Sequence, residues 1–503
     1  MYKCREKQMT IEAFDLPFDG CLSANNRWVK LSALIPWDQV ERLYGANFKN
    51  KKRGAPAMPA RMAFGALLIR EKLGLTDDET VEQLTENPYL QFFCGMKGFC
   101  DKPPFDPSML VHFRKRFPQD MLNELNEIIA KRALAQQEEN KQNQSYDENK
   151  PENKGKLLVD ATCAPADITY PTDLKLLNRA REKTEEIIDV LHKKRKSGAK
   201  KPRTYRKKAR KQYLSVAKNK RKSKKVIRKN VRRQLGYVSR NLKSIGKLSN
   251  EINLLCLSKR QYRDLLVINE LYRQQKQMFD EKTHRVDDRI VSISQPHVRP
   301  IKRGKSGSDT EFGAKISVSV VGGFSFVEHI SWNNFNESKG LVAQIENYKR
   351  RFGFYPKSVH ADKIYRNRNN RKFCKERNIR MSGPRLGRPP LPTPENAAML
   401  AAEAQQARAD EIDRIPVEGK FGEGKRRYKL DRLFTKLAKT SETVINLIFL
   451  VMNLQKWMAH FFCFAADLHN FFLYMIRSQK IRIFLTLEYQ KTKNASPLAA
   501  YLM

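Results

Sequence analysis

The sequence is poor in acidic residues, with 54 Asp and Glu against 97 Lys and Arg, and its formal net charge is +43 over 503 residues. A positive excess of this size favours a polyanionic partner, and DNA or RNA fits it better than a membrane surface. An enzyme that acts on small metabolites has no need of it. The excess is also uneven, because residues 193–233 contain 22 Lys and Arg and no Asp or Glu.

Signals of several other protein classes are absent. The eight cysteines include no C-x-x-C pair, which argues against a disulfide framework or a common zinc site and predicts reduced thiols in a cytoplasm. Residues 1–7 lack an apolar core region, so no signal peptide is expected. There is no H-E-x-x-H or G-x-S-x-G motif, and the Gly-Lys-Ser at residues 304–306 lacks the upstream Gly of a P-loop.

One hydrophobic run, residues 444–464, has nearly the length of a membrane-spanning helix. Polar residues interrupt it, namely Asn446, Asn453, Gln455, Lys456 and His460. Because a spanning helix tolerates few polar groups, we interpret this run as a buried helix and expect no membrane partner.

Three acidic residues far apart in the sequence are candidate metal ligands. Asp160 ends the apolar run 156–160, Asp362 ends the run 358–362, and Glu418 lies further along the chain. A carboxylate at the carboxyl end of a buried strand points into the crevice where α/β sheets bind ligands. Mg²⁺ prefers a few carboxylates together with substrate phosphate oxygens. Two such ions, about 4 Å apart, activate the attacking oxygen and stabilise the leaving one.

Each acid also has an ordinary structural interpretation. Asp160 could cap a turn, and Glu418 could be a helix acid near an amino-terminal dipole, with Pro416 in the first turn. Arg414 and Lys425 stand at −4 and +7 from Glu418 and return to the same helix face. They could hold a DNA phosphate or temper the carboxylates, or they could be surface charge.

The composition changes along the chain and suggests domain boundaries. Residues 1–135 read as helical, with a capping box at 76–79 (Thr-Asp-Asp-Glu), and favour a DNA-binding helix-turn-helix or another small helical bundle. Residues 136–156 are polar and have the composition of a linker. We therefore predict a catalytic domain over residues 157–475 and a C-terminal tail over 476–503.

The catalytic region combines strands and helices. It begins with a strand at 157–161, followed by a large basic helical insertion at 173–290. A Gly-Gly turn at 322–323 predicts a hairpin, a short strand is predicted at 358–362, and a helix at 418–436. Without the insertion, the order of elements is that of the ribonuclease-H-like fold. We therefore expect an α/β ribonuclease-H-like core with a helical N-terminal domain.

The basic run is interpreted as a non-specific contact to the phosphate backbone, with strong salt dependence. A solvated arm and a localisation-like tract are the alternatives. Tyr205 and Tyr213 are its only aromatic residues, so no base-stacking platform is indicated. The cations chosen as candidate DNA contacts are Arg206, Lys207, Lys208 and Arg210.

Together, these motifs resemble bacterial insertion-sequence transposases of the DDE class, in the group marked by Arg-x3-Glu-x6-Lys around the last acid. The residues that carry the resemblance are Arg414, Glu418 and Lys425 for the signature, 159–162 for the first-acid block, 360–365 with 382–389 for the second, and 109–116 for the N-terminal region. Many relatives have Tyr three residues before the Arg. Here that residue is Glu411, which leaves the processing of a flipped or hairpinned end open.

The resemblance implies a DNA transposase that cleaves the terminal inverted repeats of an insertion sequence and transfers the freed 3′-hydroxyls to target DNA. It implies Asp160, Asp362 and Glu418 as catalytic residues and ligands of two Mg²⁺ ions, for which Mn²⁺ can substitute. Lys363, Arg414 and Lys425 are implied as DNA contacts. The partners are double-stranded DNA, as element ends and as target, and further copies of the chain in a homodimer or higher oligomer. The expected location is the bacterial cytoplasm, in association with the nucleoid.

Two other functions compete with this hypothesis. A catalytically silent, transposase-derived DNA-binding protein is disfavoured by the intact set of acids. A ribonuclease-H-type nuclease is permitted by the fold alone, but the basic insertion and the separate helical region favour DNA ends.

Overall fold

The computed structural model describes residues 10–459, except for residues 11, 13, 17–19, 49–55, 140–152, 196, 197, 199, 222, 303–309, 384–386, 388, 389 and 392. The helices are α1 (Arg27–Leu34), α2 (Trp37–Ala46), α3 (Ala60–Leu73), α4 (Asp77–Glu86), α5 (Pro88–Phe93), α6 (Met109–Arg116), α7 (Gln119–Glu139), α8 (Asp173–Lys193), α9 (Arg206–Ala217), α10 (Lys224–Ser249), α11 (Lys259–Asp280), α12 (Leu341–Phe352), α13 (Arg368–Glu376) and α14 (Ala397–Arg427). The strands are β1 (Lys156–Pro165), β2 (Arg299–Lys302), β3 (Thr310–Val321), β4 (Phe324–Ser331), β5 (Ser358–Ala361) and β6 (Arg380–Met381). Residues 438–459 are also helical.

Local sequence signals define several of these elements. The predicted capping box is present: Thr76 and Glu79 exchange hydrogen bonds at the start of α4. The predicted hairpin joins β3 to β4 through Gly322 and Gly323, whose φ angles are +55° and +81°. Two consecutive residues with positive φ are what a tight type I′ turn requires, and glycine adopts them without a steric penalty.

The strands form one mixed sheet in the order β2-β3-β1-β5-β6, with β4 also paired to β3. Strand β3 is antiparallel to β1, β2 and β4, whereas β5 is parallel to both β1 and β6. Helices and a mixed sheet together make this an α/β fold. Parallel pairing of β1 and β5 places their carboxyl ends at the same edge of the sheet.

The hydrophobic core runs without interruption from the N-terminal helices to the sheet and to the helix at 438–459. Buried hydrogen bonds join the three parts: the Asn453 side chain donates to Oδ1 of Asn126 on α7 and accepts from the backbone N–H of Ser325 on β4, both at 2.8 Å. Residues 136–139 continue α7, and 140–152 lie outside the described residues. The division at residue 135 stays a prediction.

Helices α8 to α11 lie between β1 and β2 in the sequence and pack on one another. They share two apolar clusters of their own, one built around Leu177, Leu235 and Ile268 and the other around Ile188 and Leu265. The basic residues of α9 lie on the outside of this small helical bundle, whereas Arg181, Glu185 and Asp264 are buried within it.

The prediction of a separate helix starting near Glu418 is wrong. Helix α14 runs continuously over 31 residues and contains Pro416 in its interior. Proline in a helix interior costs about 3 kcal/mol, and the helix continues because Val417 and Phe421, on its inner face, are buried in the core. Glu418 is thus near the middle of the carboxyl-terminal half of a long helix, far from an amino-terminal dipole.

The apolar run at 444–464 is a buried helix as far as residue 459, and the rest of the run lies outside the described residues. Its buried apolar side chains from Val444 to Met458 belong to the main core. In the described part of the chain, no helix combines the length and the apolar character needed to cross a bilayer.

Candidate active site

The first two candidate acids lie side by side at the edge of the sheet. Strand β1 is longer than predicted and extends five residues past Asp160, so Asp160 is inside the strand rather than at its end. Its pairing with β5 nevertheless ends there, because Val159 lies opposite Ala361 and the next residues are Asp160 and Asp362. Neighbouring strands are about 4.8 Å apart. The register therefore brings two acids 202 positions apart in sequence into adjacent places.

Helix α14 brings the third acid across the same edge. Arg414 lies between the acids, with one guanidinium nitrogen 3.6 Å from Oδ1 of Asp362 and another 3.5 Å from Oε1 of Glu418. The carboxylates of Asp362 and Glu418 are 53% and 65% exposed, so solvent and a large ligand have access to both.

A cleft of about 780 Å³ opens over this edge of the sheet. Its lining includes all three candidate acids together with Arg414 and Lys425. The structure thus brings together the five residues that the motif around Glu418 and the two strand-end acids identified. It adds two that the sequence interpretation missed, Lys315 and Glu337.

The three acids differ in their electrostatic surroundings. The pKa of Asp160 is raised to about 6, mainly by burial and also by the charges of Glu337 and Asp362, while a hydrogen bond from the N–H of Ala161 and the charge of Arg414 act to lower it. That N–H donates to Oδ1 of Asp160 at 2.8 Å, and the N–H of Lys363 donates to Oδ1 of Asp362 at 2.6 Å. Both bonds hold the carboxylates while Oδ2 of each remains available as a ligand atom.

This donor set is suited to divalent cations. Carboxylate oxygens in an open, solvent-accessible cleft are the ligands that Mg²⁺ takes when substrate phosphates complete its coordination. The three acids are not gathered as tightly as a single-ion site, since they are not among the described residues whose ligand atoms all lie within 4.8 Å of one another. Wider spacing is compatible with two ions that share the ligands.

A second, tighter group lies behind the cleft. His360 on β5 and Asp410 and Asp413 on α14 place their ligand atoms within 4.8 Å of one another. Nδ1 of His360 is 3.7 Å from Oδ1 of Asp410 and 3.9 Å from Oδ2 of Asp413. Sequence reasoning missed this group, although the spacing of the two acids on one helix face and the His between strand residues were visible.

Cations already neutralise the acids of the second group. Two nitrogens of Arg380 donate to Asp410 at 2.8 and 2.7 Å, and Nζ of Lys156 lies 2.7 Å from Asp413. Burial acts to raise the pKa of Asp410, but hydrogen bonds from Arg380, the N–H of Gly383 and Gln406 lower it to about 2. We therefore interpret the group as an ion-pair network that attaches α14 to β1, β5 and β6 and so positions Glu418.

The candidate DNA-contacting cations lie in three places. Arg414 and Lys425 line the cleft, and Lys363 is exposed in the turn after Asp362. The other four begin α9 and are exposed, and none of them lines the cleft. Arg206 differs from its neighbours, because its guanidinium donates to both carboxylate oxygens of Asp189 at 2.8 and 3.1 Å. Its charge is therefore largely engaged within the bundle. Glu411 is exposed on α14.

Comparison with known proteins gives three findings. The family described as "Transposase DDE domain" matches residues 359–455, which include Asp362 and the motif around Glu418. The family described as "Transposase domain (DUF772)" matches residues 17–116, in the N-terminal helices. A protein of Rhizobium meliloti named "Uncharacterized protein ORF8 in nfe locus" is 31% identical over 162 residues, which are 32% of this chain and 72% of that protein.

No solved structure matches the chain. The two family matches cover the N-terminal helices and the region of the second and third acids. The chain belongs to the insertion-sequence transposases of the DDE class.

Proposed function

We propose that this transposase catalyses metal-dependent cleavage at the terminal inverted repeats of an insertion sequence and transfers the freed 3′-hydroxyls to target DNA. The observation that carries the proposal is that Asp160, Asp362 and Glu418 line one cleft, with Arg414 bridging the last two. Water attacks in the first step and a DNA 3′-hydroxyl in the second, so no side-chain nucleophile is required.

The catalytic core is proposed to be ribonuclease-H-like. The order β1, β3, β4, α12, β5, α13, β6, α14 and the antiparallel and parallel pairing around β1 support this. The helices α8 to α11 then form a basic insertion after β1. We propose the domains predicted from the sequence, with residues 1–135 as a DNA-binding domain.

The cleft is proposed to bind two Mg²⁺ ions, with Mn²⁺ as a substitute. Bound there, the ions supply activation of the attacking oxygen and stabilisation of the leaving oxygen. Asp160 and Asp362 hold them from the sheet and Glu418 from the helix. Arg414 keeps the Asp362 and Glu418 side chains in place, and Lys425 is positioned to contact a phosphate that enters the cleft.

The family implies DNA as the partner. We propose that the exposed side chains of Lys207, Lys208 and Arg210 on α9 contact the phosphate backbone, and that Arg206 contributes mainly to the bundle through Asp189. Because a transposase must bring two element ends together, the active form is proposed to be a homodimer or a higher oligomer on DNA, associated with the bacterial nucleoid.

The proposal is tested with the Asp362→Asn variant on duplex DNA that carries the inverted repeats next to the gene. With Mg²⁺ or Mn²⁺, the wild type is expected to nick the element ends and the variant is not, while both shift the DNA equally in a gel. A variant that nicks at the wild-type rate contradicts the assignment of the site. A wild-type protein that binds but never nicks supports the catalytically silent alternative.

A further inference from the structure

The cleft contains a fourth carboxylate that belongs to none of the three motif acids. Glu337 is the first residue of a 3-10 turn, Glu337–Gly340, that leads from the β3–β4 hairpin into α12. Its side chain lines the cleft together with Asp160 and Asp362 and is 21% exposed. No sequence motif identifies it: the residues before it, Asn-Asn-Phe-Asn at 333–336, match no known ligand pattern.

A lysine on the sheet holds this carboxylate in place. Nζ of Lys315, on β3, lies 2.8 Å from Oε1 of Glu337. The same ammonium donates to the carbonyl oxygen of Phe335 at 2.8 Å and to Oδ1 of Asn334 at 3.2 Å. The Lys315 side chain is only 12% exposed. Its bonds attach residues 334–337 to strand β3, which forms part of the cleft. Its three acceptors fix where the Glu337 side chain can reach.

The negative charge of Glu337 acts on Asp160, one of the three motif acids. After burial, it is the larger of the two neighbouring negative charges that raise the pKa of Asp160, the smaller being that of Asp362. Burial likewise raises the pKa of Tyr365, and Glu337 and Asp160 raise it further. Tyr365 is fully buried in the turn after Asp362, and this turn contacts the turn of Glu337.

Two explanations account for a carboxylate at this place. The first is a structural ion pair that only fastens the loop before α12 to β3. Such a pair needs no second acid nearby, and placing its carboxylate in the same cleft as Asp160 is unfavourable because like charges repel. The second is a ligand role, in which a bound cation removes the repulsion. Four carboxylates line one cleft, and Lys315 and Arg414 partly balance their charge. This arrangement fits the ligand role better.

We propose that Glu337 is a fourth carboxylate ligand of the divalent-cation site and that Lys315 is the residue that positions it. This inference rests on the proposed function, because it assumes that the cleft binds divalent cations. It adds a ligand from the β4–α12 connection to those from β1, the turn after β5 and α14. Four different segments that line the cleft then contribute one acid each.

The test measures Mn²⁺ binding to the full-length protein by isothermal titration calorimetry, without DNA. The test variant is Glu337→Gln, whose amide oxygen still accepts a hydrogen bond from Lys315. The matched control is Glu346→Gln on α12, where the carboxylate instead accepts a hydrogen bond from the Tyr355 hydroxyl at 3.0 Å. We expect the Mn²⁺ affinity to fall about tenfold or more for E337Q and to stay at the wild-type value for E346Q.

Two further variants separate the possible failures. Asp362→Asn is expected to lose Mn²⁺ affinity under the proposed function. If D362N loses it and E337Q binds like the wild type, the ligand role of Glu337 is overturned and the proposed function stands; if D362N also binds like the wild type, the proposed function itself fails. Glu337→Asp keeps the charge and is expected to bind Mn²⁺ more tightly than E337Q. Equal weakening in both, with a lowered thermal unfolding midpoint, would indicate a structural role and contradict the proposal.

Discussion

Helix α14 carries two acidic groups that differ in how their charge is balanced. Asp410 and Asp413, with His360, form the tighter cluster, yet each acid is bonded to a cation from the sheet. Glu418 lies two turns further on, is 65% exposed, and shares a single arginine with Asp362. Proximity alone would assign the metal to the first group. The balance of charge favours the second group.

The comparison shows why a cluster of ligand types is weak evidence for a metal site. A buried carboxylate such as Asp410, which accepts two hydrogen bonds from the guanidinium of Arg380, must give them up before it can bind an ion, and Arg380 then loses its partner. In the cleft, Asp362 and Glu418 are exposed to solvent, and an ion that binds them displaces only water and the shared Arg414. In helix α14, Asp410 and Asp413 therefore attach the helix to the sheet, whereas Glu418 is exposed in the cleft and is available to bind an ion.

The largest expected difference between the two groups appears when one acid of each is neutralised. Glu418→Gln is expected to lower the rate of DNA nicking about 10³-fold, the size of effect seen when a transition-state contact is lost. Asp413→Asn is expected to stay within a few-fold of the wild type, because Asp413 lies outside the cleft and pairs with the exposed Lys156 side chain. Nicking assays at saturating Mg²⁺ on the same duplex measure both. Equal losses in the two variants would mean that the groups do not differ in function.

The variant Asp410→Asn tests whether the group around His360 anchors helix α14 to the sheet. Losing the paired hydrogen bonds from Arg380 is expected to lower the free energy of unfolding by about 2 kcal/mol, measured by urea denaturation. Glu411→Gln, one residue further along the same helix and exposed, is the control and is expected to change little. An unchanged stability of the Asp410 variant would remove the argument that this group anchors α14.

The same ion pair predicts a pH dependence. Since the folded-state pKa of Asp410 is lowered to about 2, its stabilising contribution is present above the unfolded-state pKa of about 3.9 and is lost as the pH falls through 2. The difference in unfolding free energy between wild type and Asp410→Asn should therefore be constant near neutral pH and shrink between about pH 4 and 2. A constant difference down to pH 2 would contradict the pairing.

The smallest expected effect concerns α9. Each of the substitutions Lys207→Gln, Lys208→Gln and Arg210→Gln should reduce the slope of log affinity against log salt by about 0.9 if the side chain contacts a phosphate. Arg206→Gln should leave the slope nearly unchanged and cost at most about 1 kcal/mol of stability, because it loses the partly exposed pair with Asp189. Filter binding of duplex DNA over a salt series tests this, and equal slopes for all four would contradict the distinction.

Much of the local structure was predictable because its signals are local. The capping box at Thr76 and the glycine turn at Gly322 depend on residues within a few positions of each other, and both are present. The acids Asp160 and Asp362 were found because each follows a short apolar run. The length of β1 was not predicted, since its second half is stabilised by pairing with β3, far along the chain.

What escaped prediction depends on contacts between distant residues. Pro416 indicated a helix start, but burial of the neighbouring Val417 keeps α14 continuous. Glu337 carries no motif, and only folding brings it into the same cleft as Asp160. The pairing of Arg206 with Asp189 on another helix was likewise invisible in a run of similar basic residues.

The central claim is that the cleft formed by Asp160, Asp362 and Glu418, and not the group around His360, binds the divalent cation. The most direct test is the anomalous difference map of a crystal of the protein grown with Mn²⁺. The account predicts a Mn²⁺ peak between the carboxylates of Asp160 and Asp362. A peak enclosed by His360, Asp410 and Asp413, with none in the cleft, would contradict it.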